Sequence, residues 1–198
     1  MPAPDHETAA EPLFAFDRRV CDAVAPYRDT IPVRTIRFVG QLGDQAQMRL
    51  LSGAILTLGL VRRNPRTAAA GARMLLAHEM ATFAKNIVKR RIDRRRPRSA
   101  EHDGEDLPHA GRHRGKEDTS FPSGHSAGGM AAAGALAATY PAHRGTVLAA
   151  GAALGVAQVP TGAHYPSDVA AGLVIGALAE RVSRLPWRVA AGLLALRR

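Results

Sequence analysis

The chain has 198 residues, enough for one domain with a core of its own. Its 27 Lys and Arg against 17 Asp and Glu give a formal net charge of +10, which points to anionic partners: nucleic acid, lipid head groups or phosphorylated substrates. The single cysteine, Cys21, excludes a disulfide framework and a cysteine-rich zinc site.

Residues 1–12 (MPAPDHETAAEP) are acidic and polar, without the basic start and apolar core of a cleavable signal, and are expected to be a disordered tail. Residues 13–45 carry FAFDRRVCDAV and IPVRTIRFVG, amphipathic and charged, the pattern of an interfacial helix or partial span. From 46 to 184, apolar stretches alternate with short basic or turn-like pieces: Met48–Val61, Thr67–Val88, Ser123–Tyr140, Thr146–Val159 and Ser167–Val182. Ala and Leu dominate and β-branched residues are scattered, so helices are expected. Residues 90–119 form a basic extramembrane loop in this reading, and residues 185–198 a basic C-terminal segment with the short apolar piece Trp187–Leu196.

Gly124–Gly128, Gly151–Gly155 and Gly172–Gly176 each have the GxxxG spacing that lets membrane helices approach closely. Against a membrane, mean hydropathy is only −0.12, and several stretches fall short of the roughly 20 apolar residues of a perpendicular span. Arg73, His78, Glu79 and Lys85 within one stretch would be costly facing lipid. The expectation is an all-α, multi-helix membrane bundle, with a soluble Ala-rich bundle as the alternative. With alternating helices, Arg62–Arg66, His143-Arg144 and Arg181–Arg184 share one side, cytoplasmic by the positive-inside rule. The basic 90–119 loop then lies outside, against that rule unless its charges serve chemistry.

Three stretches carry that chemistry. In Pro122-Ser123-Gly124-His125, Ser123 is a good N-cap, and Gly124 lets an anion approach the first-turn N–H groups. His125 sits beside such an anion, where an imidazole can protonate a departing oxygen; an ordinary cap followed by a surface histidine is the equal alternative. In GAHYPSDVAAG, Asp168 suits a helix start, and a carboxylate holding one nitrogen of His164 leaves the other free to attack. In KRRIDRRRPR, Lys89 and Arg96 are seven residues apart, near one helical face, and Pro97 lets the chain fold back. Two cations on one phosphoryl group neutralise charge in an in-line displacement, although taken alone such a run is more often a solvated collar.

Together the stretches resemble the type 2 phosphatidic acid phosphatase family, whose superfamily includes the vanadium haloperoxidases. The family pattern Lys-x6-Arg-Pro is matched by Lys89 to Arg96-Pro97, and Pro-Ser-Gly-His by Pro122 to His125. His164 and Asp168 match the end of Ser-Arg-x5-His-x3-Asp, but its Ser-Arg is Ala157-Gln158 here. The resemblance covers roughly residues 45–184. It implies a membrane-surface site in which Lys89, Arg96, Ser123 and Gly124 bind the phosphoryl oxygens, Gln158 standing where the family has an arginine. His164, oriented by Asp168, attacks phosphorus to give a phosphohistidine, and His125 protonates the leaving group. No metal or other cofactor is implied. Gln158 can donate hydrogen bonds but carries no charge, which weakens the phosphate contact; Arg94, Arg95 or Arg98 are candidates to replace the lost arginine.

The implied substrate is phosphatidate, phosphatidylglycerol phosphate, a polyprenyl diphosphate or a phosphorylated glycolipid. The implied location is a bacterial inner membrane with the site extracytoplasmic. Alternatives are a weak or inactive relative that binds anionic lipid, and a basic helical nucleic-acid binder. The second is disfavoured by 5% aromatics and continuous apolar stretches. A haloperoxidase fits poorly because those relatives are soluble and larger. His102, His109 and His113 are expected in a solvated loop rather than at a metal.

Overall fold

A computed structural model describes residues 11–103, 107–111, 115 and 119–195. Most of the tail expected over 1–12, His113 and the last three residues lie outside the described residues. The chain is helical: α1 (Glu11–Val24), α2 (Ile31–Gly40), α3 (Gln45–Val61), α4 (Pro65–Lys89), α5 (Pro97–Asp103), α6 (Gly124–Thr139), α7 (Arg144–Val156) and α8 (Pro166–Ala195). Helix α8 continues past residue 184, where the C-terminal segment was expected to start. Within the basic 90–119 segment, β1 (Ile92–Asp93) pairs antiparallel with β2 (His109–Ala110). Two-residue strands have too short a period for sequence patterning to reveal.

Local signals set the helix starts. Asn64 caps α4 by accepting from Thr67 N at 3.1 Å, with Pro65 in the first turn, where its missing N–H is not needed. Ser123 caps α6, accepting from Ser126 N at 3.3 Å. Helix α6 is the hub, packed against α4, α7 and α8. Its surface is nearly all Ala and Gly, so neighbours come close: a Cβ on Gly172 of α8 would lie 2.5 Å from the Ser123 carbonyl oxygen, and one on Gly176 would meet that of Ala127. The spacing of small residues is therefore used within this chain, between α8 and α6.

Side-chain sizes are distributed unusually for a water-soluble bundle. Alanines 70, 77, 81, 127, 131, 132 and 135 fill the interior, while Leu50 is 72% and Phe83 70% exposed. Val61, Val174, Leu178 and Val182 are also outside. Among the described residues, no helix is long and apolar enough to cross a membrane. Two ion pairs lie in mid-helix: Arg49 donates to both Glu79 oxygens at 2.6 and 2.9 Å, and Arg184 to both Glu180 oxygens at 2.6 and 2.7 Å.

The two ends of the bundle differ. At one end Arg66 donates to Thr139 O at 2.8 Å and stacks over Tyr140, joining the α3–α4 corner to the α6–α7 corner. At the other end meet the C-terminus of α4 and the N-termini of α6 and α8. There Arg94, 1% exposed, lies between two carboxylates, donating to Asp17 of α1 at 2.8 Å and to Asp168 of α8 at 2.7 Å. Its guanidinium also stacks on Tyr165, 3.8 Å from the ring centroid. Asp17 accepts from Ser167 N at 2.9 Å as well, so α1 is fastened to the start of α8.

Removing one member of a buried ion network leaves a charge uncompensated. Asp17→Asn is expected to cost about 3 kcal/mol and to lower the thermal unfolding midpoint in detergent. Glu11→Ala, which breaks the exposed Arg18–Glu11 pair of the same helix, is expected to cost less than about 1 kcal/mol.

Candidate active site

A pocket of about 360 Å³ opens at the end of the bundle where α4, α6 and α8 meet. Six of the eight site residues expected from the family pattern line it: Lys89, Arg96, Gly124, His125, Gln158 and His164. Lys89 ends α4 and donates to the Thr119 carbonyl. Arg96 lies just before α5 and donates to Ala163 O at 3.0 Å, which ties it to the turn carrying His164. Gly124 and His125 form the first turn of α6, as the Pro-Ser cap requires. Gly124 packs against the Lys85 stem, where an added Cβ would come within 3.2 Å of Cε.

The two histidines face each other with ring centroids 6.5 Å apart, at 63° between planes. Each has its own carboxylate. His164 Nδ1 lies 3.6 Å from Asp168 Oδ2, ion-pair distance but longer than a hydrogen bond. Asp168 is fully buried behind it, with Oδ1 on Arg94 and Oδ2 accepting from Tyr165 N at 2.9 Å. His125 Nε2 lies 2.9 Å from Asp44 Oδ1. Burial pushes the His164 imidazole down to about 4, outweighing the Asp168 carboxylate, so the ring is neutral at physiological pH.

Two predicted site residues stand behind the wall rather than on it. Asp168 is one, in keeping with an orienting role. Ser123 is the other: it is fully buried, and its oxygen accepts from Ser126 Oγ at 2.8 Å and from Ser126 N. Its oxygen accepts as the cap of α6 and so sets a helix start whose free first-turn N–H groups suit an anion.

Gln158 does line the pocket, in the turn after α7, with its amide under the end of α2: a Cβ on Gly40 would lie 2.8 Å from Nε2. Of the arginines considered as substitutes, Arg94 is committed to Asp17 and Asp168, and Arg95 is not on the wall. Arg98 is, together with Lys85 and Arg37. Among the described residues, five basic side chains thus line the pocket with one acidic one, Asp44.

Sequence reasoning missed four residues. Lys85 precedes Lys89 by four positions, a same-face spacing that could have been noticed. Asp44 stands before an apolar helix as an ordinary cap would. Arg37 and Asp17 lie on amphipathic helices where nothing local distinguishes them. Among the described residues, no group of three metal-ligating side chains occurs.

Comparison with known proteins gives concordant results. The family model of the PAP2 superfamily matches residues 70–188. Lipid A 1-phosphatase of Rhizobium johnstonii is 39% identical over 109 residues, 54% of this chain and 43% of that protein. Decaprenylphosphoryl-5-phosphoribose phosphatase of Mycobacterium tuberculosis is 30% identical over 143 residues, 72% of this chain and 73% of that protein. The chain spans about two fifths of the lipid A 1-phosphatase it matches. Among solved structures, the transmembrane PAP2 type phosphatidylglycerolphosphate phosphatase from Bacillus subtilis superposes with a TM-score of 0.63 over 90% of this chain and 86% of that one. At 22% identity that likeness establishes the fold. By the family match over residues 70–188, together with the three motifs gathered around one pocket, the chain belongs to the PAP2 superfamily.

Proposed function

We propose that the protein is a metal-independent phosphatase of phosphorylated lipids, working through a phosphohistidine at His164. The observation that carries the reading is the pair of histidines facing each other across a cationic pocket, 6.5 Å between centroids. An in-line displacement needs a nucleophile about 3 Å from phosphorus on one side and a proton donor on the other. Lys89 and Arg96, with the N–H groups at the start of α6, take the phosphoryl oxygens; His164 attacks, and the P–O bond to the leaving group breaks. His125 gives its proton to the departing oxygen and later takes one from the water that cleaves the P–N bond. Asp168, fixed by Arg94, holds His164.

Membrane placement is part of the proposal. Small residues inside and large apolar ones outside are what helices packed in lipid require. Glu79 paired with Arg49, Glu180 paired with Arg184, and Lys85 on the pocket wall avoid the cost that an unpaired charge would meet there. The superposition with a transmembrane phosphatase supports the same placement. The pocket is at the end away from Arg62–Arg66 and His143-Arg144; with that corner taken as cytoplasmic by the positive-inside rule, the proposed side for the pocket is extracytoplasmic. Two relatives are named for lipid A and for a decaprenyl-linked phosphoribose, so the proposed substrates are polyprenyl-linked or glycolipid phosphates, followed by phosphatidate and phosphatidylglycerol phosphate.

Phosphate release from such a lipid panel, by detergent-purified protein in EDTA, is the test. Release unchanged by EDTA and reduced at least about 10³-fold by His164→Ala is expected; release that requires added metal, or survives the substitution, contradicts the reading.

Gln158 in place of an arginine favours a second reading, a weak or inactive enzyme that retains lipid binding. A charged contact exceeds a neutral one by about 1 kcal/mol. On the leading reading Gln158→Arg lowers KM about 5-fold with kcat little changed; on the second, it creates activity where the natural protein has none.

A further inference from the structure

Asp44 is a carboxylate that the motifs do not call for. It is the residue before α3, with the extended backbone of an N-cap (φ −64°, ψ 151°), yet its side chain makes no capping hydrogen bond. Its Oδ1 instead lies 2.9 Å from Nε2 of His125, across the pocket mouth. The residue before it is glycine, and a Cβ on Gly43 would lie 3.0 Å from the His125 ring, so the chain there is shaped to bring Asp44 to the imidazole.

We propose that Asp44 is a positioning residue for the proton donor: its carboxylate holds the His125 ring toward the leaving-group side and favours its protonated form. The other charged and titratable groups facing His125 are Lys85 and Lys89 of α4, Arg96 from the link before α5, Arg98 of α5, Arg37 of α2 and His164 from the α7–α8 turn. All but His164 are basic side chains whose positive charge disfavours an imidazolium, and Asp44 is the acidic residue on that wall among the described residues. A proton donor in such surroundings needs a carboxylate beside it to be charged when substrate arrives. Burial holds both imidazoles below their ordinary range, and at His125 the Asp44 carboxylate beside the ring opposes that shift. His164 has its carboxylate already shared with Arg94 and Tyr165 N, and stays neutral to attack. Asp44 is half-exposed and its carboxylate is turned to His125.

The proposal rests on the phosphatase reading, and its test separates the two. Asp44→Asn keeps the shape and the capping capacity of the residue and removes only the charge. Two phosphate monoesters are compared: p-nitrophenyl phosphate, whose leaving group needs no proton, and short-chain dioctanoyl phosphatidate, whose alkoxide does. Asp44→Asn is expected to reduce kcat about 100-fold on phosphatidate and less than about 3-fold on the aryl ester. The alkaline limb of the phosphatidate profile should move about 1 pH unit lower, because the donor loses its proton sooner. Equal losses on both esters, or an unmoved alkaline limb, overturn the proposal. An NMR titration of the His125 ring reads the pairing without turnover: its midpoint should fall in Asp44→Asn, and an unchanged midpoint overturns the proposal. A wild-type protein inert towards both esters and towards the whole lipid panel would defeat the phosphatase reading, and the titration would still decide the pairing.

Discussion

A guanidinium cannot be buried without anions beside it, and Arg94 is buried at the point where three parts of the chain converge. Asp17 and Asp168 supply the anions. Each ion costs several kcal/mol to desolvate, so the three charges are stable only together. That requirement fixes α1, the link after α4 and the first turn of α8 relative to one another. His164 follows Asp168 into place, and Arg96, two residues beyond Arg94, is brought to the pocket wall. The position of the His164 ring is thus set by groups that stand behind the pocket wall.

The rest of the bundle solves a different problem. With alanine and glycine between helices, little interior volume is filled by large side chains, and contact comes from close backbone approach. Leucine, valine and phenylalanine are left outside, where only an apolar surrounding would reward them. This inside-out arrangement agrees with a bilayer as the solvent. It also explains why mean hydropathy is low: many charges are spent at one end, in the pocket and the 90–119 segment, or in mid-helix pairs.

Most of the site was legible because its residues lie in short local motifs. Pro-Ser-Gly-His starts a helix by capping rules alone, and the spacings of Lys89 to Arg96 and of His164 to Asp168 match family patterns directly. The helices were legible from Ala/Leu-rich composition, although α8 runs further than its apolar stretch suggested. What escaped was long-range. Nothing around Asp17 announces a partner 77 positions away, and nothing around Asp44 announces His125. Arg94, one of the candidates for the missing phosphate ligand, is turned inward by carboxylates brought from both ends of the sequence. Ser123 showed the opposite limit: its residue type suits a phosphate, but its oxygen is used by the helix it begins.

The central claim is that the phosphoryl group passes through His164, and the most direct measurement is to catch it there. Protein turning over a 32P-labelled lipid phosphate would be quenched in alkali, which preserves phosphohistidine, then digested and mapped by mass spectrometry. The account predicts label on the peptide containing His164, lost in His164→Ala. Label on His125, or phosphate release with no labelled histidine at any time point, would contradict it.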